Sequence, residues 1–185
     1  MTHVPPPMIS SMSVVLHWLV AFGIIGMIAF GLVVSATPSG PEKSALVQTH
    51  KSFGMIVGTL ALLRLLLRIR EGFPAPIATL DRNMVRFSRT LHSVLLILTV
   101  ALPITGILKS ITYGRGVDVF GFPVVPKMLM EKDEALNELA SLAHLNLAWM
   151  MVALLIIHAG AAVRHHFIKR DETLKRMLPG LRARP

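Results

Sequence analysis

The chain has 185 residues, 53% of them hydrophobic and only 16% charged, a balance that excludes a disordered chain and a soluble nucleotide-binding enzyme. Its formal net charge of +9 could suggest a nucleic-acid partner. Here the charges sit between long apolar runs, so they report membrane topology instead, and no nucleic acid is expected. There is no cysteine, which excludes disulfides, thiolate metal sites, iron–sulfur clusters and covalently attached haem. Eight histidines in so apolar a chain are the feature to explain.

A bilayer core of roughly 30 Å takes about 20 apolar residues as helix. Four segments qualify, at about 14–35, 46–69, 90–111 and 139–163. Their apolar residues run continuously rather than alternating, which points to helices. They lack the polar face of a soluble bundle. The expected fold is all-α, an integral membrane four-helix bundle forming one domain over residues 1–185. The first run has no Lys or Arg before it and is too long for a signal core, so it reads as a retained helix.

The order of the loops sets the orientation. The end of the second span with the connection after it, and the tail 164–185, carry 13 basic and 4 acidic residues, including Arg64, Arg68, Arg164 and Lys169. The opposite side carries 6 of each, including Lys43, Lys51, Lys109 and Arg115. Positive charge marks the cytoplasmic side, so both termini are expected there. Pro5–Pro7 form an extended lead-in, and Pro74 and Pro76 open the inner loop. In the outer connection 112–138, Gly114, Gly116, Gly121, Pro123 and Pro126 predict irregular chain. Residues 127–138 mix apolar and charged side chains and predict an amphipathic surface helix.

An ionisable side chain inside a span is a functional candidate. His17 lies at the inner end of the first span, His50 at the outer end of the second and His92 at the inner end of the third. The fourth carries His144 at its outer end and His158 toward its inner end, with His165 and His166 at the boundary. His3 lies in the tail and carries no signal. His144 and His158 are 14 residues apart, about 3.9 turns, so they share one face and stand about 21 Å apart. His17 then matches His158 in depth, and His50 matches His144. Two histidines at equal depth on facing helices are what bis-imidazole ligation of one haem requires. The four give two non-covalent b haems, an inner and an outer one, with iron held by His17 and His158 and by His50 and His144. Filled axial positions suit one-electron transfer. Any one histidine alone reads as a hydrogen-bonded packing residue. The competing use of the set is a metal or proton transporter without haem, but no Asp or Glu lies within a span. Gly54 and Gly58, like Gly23, Gly26 and Gly31, clear a stripe for a flat macrocycle or for close helix packing.

Leu16–Leu19 around His17, His50 opening the second span, Arg64–Arg68 closing it, Ala101–Gly106, the His144/His158 spacing and the ending His165-His166-Phe167 with 174–179 form an ordered set. On these residues the chain resembles the bacterial cytochrome b561 family of small di-haem membrane proteins, over nearly its whole length. The resemblance implies a four-helix bacterial inner-membrane bundle with two b haems on the same four histidines. It also implies one of two roles. Some members are superoxide oxidases, passing electrons from superoxide outside to ubiquinone. Related di-haem subunits link a dehydrogenase or hydrogenase to the quinone pool, with a redox protein as partner.

The expected reaction is therefore electron transfer from superoxide to ubiquinone, with the electron-transfer subunit as the alternative. A quinone needs an apolar slot and a proton donor. Arg164, His165 and His166, or His92, are candidates. Interfacial anchoring is the other use of the His165-His166 pair, and packing or a propionate contact that of His92. Lys51, Lys109 and Arg115 are candidates for steering the superoxide anion, with snorkelling as the alternative. Arg64 lies deeper than an anchor needs and is a candidate partner for a haem propionate, again against snorkelling.

Overall fold

The computed structural model describes residues 9–74, 81–171 and 174–177. His3, Pro5–Pro7, Pro76 and the last eight residues of the expected tail lie outside them. Four helices dominate: α1 (Ser11–Ala36), α2 (Pro41–Glu71), α3 (Arg82–Thr112) and α4 (Glu134–Arg164). Each is long and apolar enough to cross a membrane. The chain is a four-helix membrane bundle.

Every helix outruns the apolar segment that marks it, because its ends are stabilised by polar chemistry outside the apolar run. Ser10 accepts from the Ser13 amide (3.1 Å), Asp81 from Met84 (2.8 Å) and Asp133 from Leu136 (3.0 Å). Each side chain satisfies a backbone donor that the first turn leaves unpaired. α2 instead starts with Pro41 at its first position and stops at Gly72, whose φ of 71° is left-handed.

Close packing runs α1–α2, α2–α3 and α3–α4, and α1 and α4 approach each other much less. The core layer comprises Val20, Ile24, Ala61, Leu91, Leu95, Leu98, Leu102 and Met151. Phe22, Ile97 and Ile156 are each at least 60% exposed, so the outward surface is apolar, as lipid requires. Met151 is fully buried and sits seven residues from both His144 and His158, about two turns each way. An apolar side chain thus fills the level between the two histidines. Met151→Ala removes the buried side-chain atoms beyond Cβ and leaves a cavity, a change that costs about 2–5 kcal/mol. Thermal unfolding in detergent is expected to show that loss, and Met151→Leu less than half of it.

The outer connection departs from expectation twice. Val117–Val119 (β1) and Phe122–Val125 (β2) form an antiparallel hairpin where irregular chain is expected. The amphipathic helix expected over 127–138 does not form. Residues 126–133 have no regular structure, and only Glu134 onward is helical, as the start of α4. Asp133 explains the boundary: its amide donates to the Thr112 carbonyl (2.9 Å) while its side chain caps α4. Asn137 adds a bond from its Nδ2 to the Lys109 carbonyl (2.9 Å), tying the start of α4 to the end of α3. At the other end α4 continues as a π-helical turn, His165–Lys169, which ends at Arg170 with φ 51°.

Candidate functional site

The histidines fall into two groups near opposite ends of the bundle. In the first, the rings of His17 (α1) and His158 (α4) lie 6.2 Å apart, centre to centre. Two imidazoles bound to one metal through bonds of about 2 Å each would have centres about 6 Å apart. His92 (α3) joins this group, its ring 5.1 Å from that of His158. Its Nδ1–H donates to the Ser88 carbonyl at 2.6 Å, which leaves Nε2 as a bare acceptor. Arg64 neither snorkels outward nor stands apart. Its Nη2 donates to His17 Nδ1 at 3.2 Å.

The second group is His50 (α2) and His144 (α4). The Nδ1–H of His144 is shared between the Leu102 carbonyl (3.1 Å) and Thr105 Oγ1 (3.0 Å). That bond fixes the ring and leaves Nε2 free as a ligand. His50 packs 5.6 Å from the Phe30 ring, and its buried Nδ1 has no partner among the described residues. A buried polar atom without a partner is costly in a fold that satisfies the rest.

Glycines stand against both rings of this second group. A Cβ on Gly31 would lie 3.4 Å from His50 Cε1, and one on Gly106 3.4 Å from His144 Cε1. The other glycines divide. Gly23 and Gly58 are filled by Val57 and Pro103, so they serve helix packing, whereas Gly26 faces open space. Among the described residues no group of three or more His, Asp or Glu side chains is placed to hold a bare metal ion.

The remaining candidates are scattered around these groups. Lys51 is not free: its Nζ donates to the Gly116 carbonyl (3.0 Å) and Ser110 Oγ (3.3 Å), fastening the loop before the hairpin to α2. Lys109 and Arg115 are exposed, and the Arg115 guanidinium lies 4.6 Å over the Tyr113 ring. Lys132 approaches the same ring at 5.5 Å, so a small basic cluster gathers around Tyr113. At the other end His165 is buried and paired with Asp171, while Arg164 is exposed and His166 half-buried. Trp18, next to His17, donates to the Met177 carbonyl at 2.6 Å, bringing residues after α4 back onto α1.

Sequence reasoning did not single out Phe30 or Met151, and it met Thr105 and Gly106 only within Ala101–Gly106, as part of the family resemblance. Met151 alone had a legible signal, the seven-residue spacing from each neighbour on the histidine face. The others are set by how the helices are rotated against one another.

The model of the family described as prokaryotic cytochrome b561 matches residues 9–180, nearly the whole chain. The chain belongs to the prokaryotic cytochrome b561 family. Among its relatives is cytochrome b561 homolog 2 of Escherichia coli (strain K12), 34% identical over 90% of this chain and 88% of that protein. Cytochrome b561 homolog 1 of the same strain is 28% identical over 92% and 96%. A probable superoxide oxidase, CybB, of Yersinia pestis is 29% identical over 94% and 97%.

As a prokaryotic cytochrome b561 the chain is a multi-pass bacterial membrane protein of electron transport that binds b-type haem. The residues present fit that group. His144 has its Nδ1–H engaged and its Nε2 available as a donor to iron, glycines stand beside the rings of His50 and His144, and no thiol is needed for a non-covalent haem.

Proposed function

We propose that this cytochrome b561 carries two b haems and passes electrons from superoxide on one side of the bacterial inner membrane to ubiquinone. The observation that carries the reading is the sorting of the histidines into two groups near opposite ends of the bundle, His17 with His158 and His50 with His144. These four are the proposed iron ligands. The inventory of 13 basic and 4 acidic residues on one side against 6 and 6 on the other supports cytoplasmic termini, with His50 and His144 then toward the outer side.

Held by these histidines, the haems would supply one-electron centres. The rest is the work of this chain's own side chains. Met151 and the core around it keep water out of the level between the two sites. Lys109 and Arg115 present positive charge at the outer rim and raise the local concentration of a small anion, whereas the charge of Lys132 is paired with Glu134. Lys51 contributes by holding the loop rather than as a free cation. At the inner end, His92, Arg164, His165 and His166 provide hydrogen-bond partners for a quinone. Two superoxide anions give up one electron each and leave as dioxygen, and one quinone takes both electrons and two protons to become quinol. His165, paired with Asp171, is the best-placed group in this set to pass a proton.

The test is stopped-flow spectroscopy on the purified protein. Enzymatically generated superoxide is expected to reduce it, and a soluble ubiquinone analogue to reoxidise it. Reduction by dithionite but not by superoxide would instead favour a subunit that draws electrons from a partner dehydrogenase. A finer expectation concerns Thr105. Thr105→Val removes one acceptor from His144 Nδ1–H, makes the ligand less anionic in character and is expected to raise the outer midpoint potential by roughly tens of millivolts. Redox titration of the purified variant reads this directly.

A further inference from the structure

The hairpin β1–β2 is bolted to the side of α2, not suspended above the bundle. The Gly116 carbonyl accepts from Lys51 Nζ, and the Asp118 carbonyl accepts from both Gln48 Nε2 (3.0 Å) and Ser52 Oγ (3.2 Å). The Phe120 amide in turn donates to Ser52 Oγ (3.0 Å). These three α2 residues fall within five positions, so the hairpin is held at one fixed depth beside the helix. Its turn is Phe120-Gly121, with φ 49° and 89°. Left-handed backbone suits the glycine and is uncommon for a bulky residue. Asn, Asp or Gly is the usual first residue of such a turn.

What stands there is an aromatic ring, 56% exposed, packed edge-on against Phe53 of α2 at 5.3 Å. Phe53 is itself exposed, on a helix that crosses the membrane. Phe122 follows at 76% exposed and Val124 at 52%. The hairpin therefore extends, without a break, the apolar surface that α2 presents to lipid. Aromatic side chains favour the level of the lipid headgroups, and a two-stranded ribbon with open edges belongs there and not in the hydrocarbon.

We infer that the hairpin tip, Phe120 and Phe122, inserts into the headgroup and upper acyl region of the leaflet on its own side, and anchors the connection between α3 and α4 beside α2. The occupant is lipid: the patch is contiguous with the lipid-facing side of α2, and its side chains are aromatic and uncharged. The inference is independent of haem ligation and of the substrate.

The absence of cysteine makes the test clean, since a single introduced Cys is the sole labelling site. Nitroxide is placed at Phe122→Cys and, as a second position, Val124→Cys, in the full chain reconstituted into phosphatidylcholine–phosphatidylglycerol nanodiscs. Lys127→Cys serves as the exposed-loop reference and Ile156→Cys as the lipid reference. Collision rates with oxygen and with a water-soluble nickel chelate are compared. At both hairpin positions the nickel rate is expected to be several-fold below that at residue 127, with the oxygen rate close to that at residue 156. A nickel rate equal to that at residue 127 would place the tip in water and overturn the inference. So would low access to both reagents with an immobilised spectrum, which would mean that a second protein surface, such as another copy of the chain, covers the tip.

Discussion

Replacing His144 by Ala is expected to take the haem content from two per chain to one, with the His17–His158 site retained. The geometry makes this ring a fixed point. Its Nδ1–H is held by Leu102 and Thr105, so its Nε2 has one direction in which to bind. No other described side chain of α4 is placed to substitute, since His158 lies about 21 Å along the helix. His50 alone, with an Nδ1 that no described residue holds, is the weaker anchor. Reduction by superoxide should be lost with the outer haem, while dithionite still reduces the inner one. A pyridine haemochrome assay on the detergent-purified variant, with circular dichroism to check helical content, reads the result. Loss of both haems from a folded protein would argue against two separate sites.

The second large effect is expected at Gly58. A Cβ there would lie 2.8 Å from Pro103 Cβ and 3.0 Å from its Cγ. Pro103 is a rigid ring inside α3, so it cannot swing aside as a long side chain would. Lipid tails are as apolar as leucine, so helices in a membrane are held together mainly by close packing. Separating α2 from α3 thus removes contacts for which lipid gives little in return. Gly58→Leu is expected to cost the upper end of about 1–3 kcal/mol. A lower unfolding temperature in detergent and reduced haem loading would follow together. Gly26→Ala is the control, because nothing lies within 4 Å of a Cβ there and little change is expected.

The sequence makes the spans legible because lipid imposes one dominant rule, about 20 continuous apolar residues, and no tertiary contact overrides it. Helix ends are less legible. They depend on Ser10, Asp81 and Asp133 acting as caps beyond the apolar run. The outer connection is least legible. β1 has only three residues, and its turn is Phe-Gly rather than Asn-Gly, so neither alternation nor turn chemistry announces the hairpin. Residues 127–138 have the composition of an amphipathic helix, but the bond from the Asp133 amide to Thr112 fixes the chain before a helix can start.

At the candidate site, helical spacing and depth single out the four histidines, because a 14-residue interval on a regular helix leaves little freedom. Side-chain orientation is another matter. Arg64 reads from sequence as a propionate partner or a snorkelling anchor, and its bond to His17 Nδ1 is a contact that the sequence does not announce. Lys51 reads as a free cation, yet it is spent on Ser110 and Gly116. Both choices depend on which acceptors neighbouring elements bring within reach, and one chain's sequence does not encode that locally.

The measurement that bears most directly on the whole reading is the number of haems per chain in the detergent-purified protein, taken with a dithionite-reduced minus oxidised visible spectrum. Two b haems with the sharp low-spin bands of bis-imidazole iron are the expected result. A single haem, or high-spin bands from an open axial position, would contradict the assignment of the four histidines to two sites.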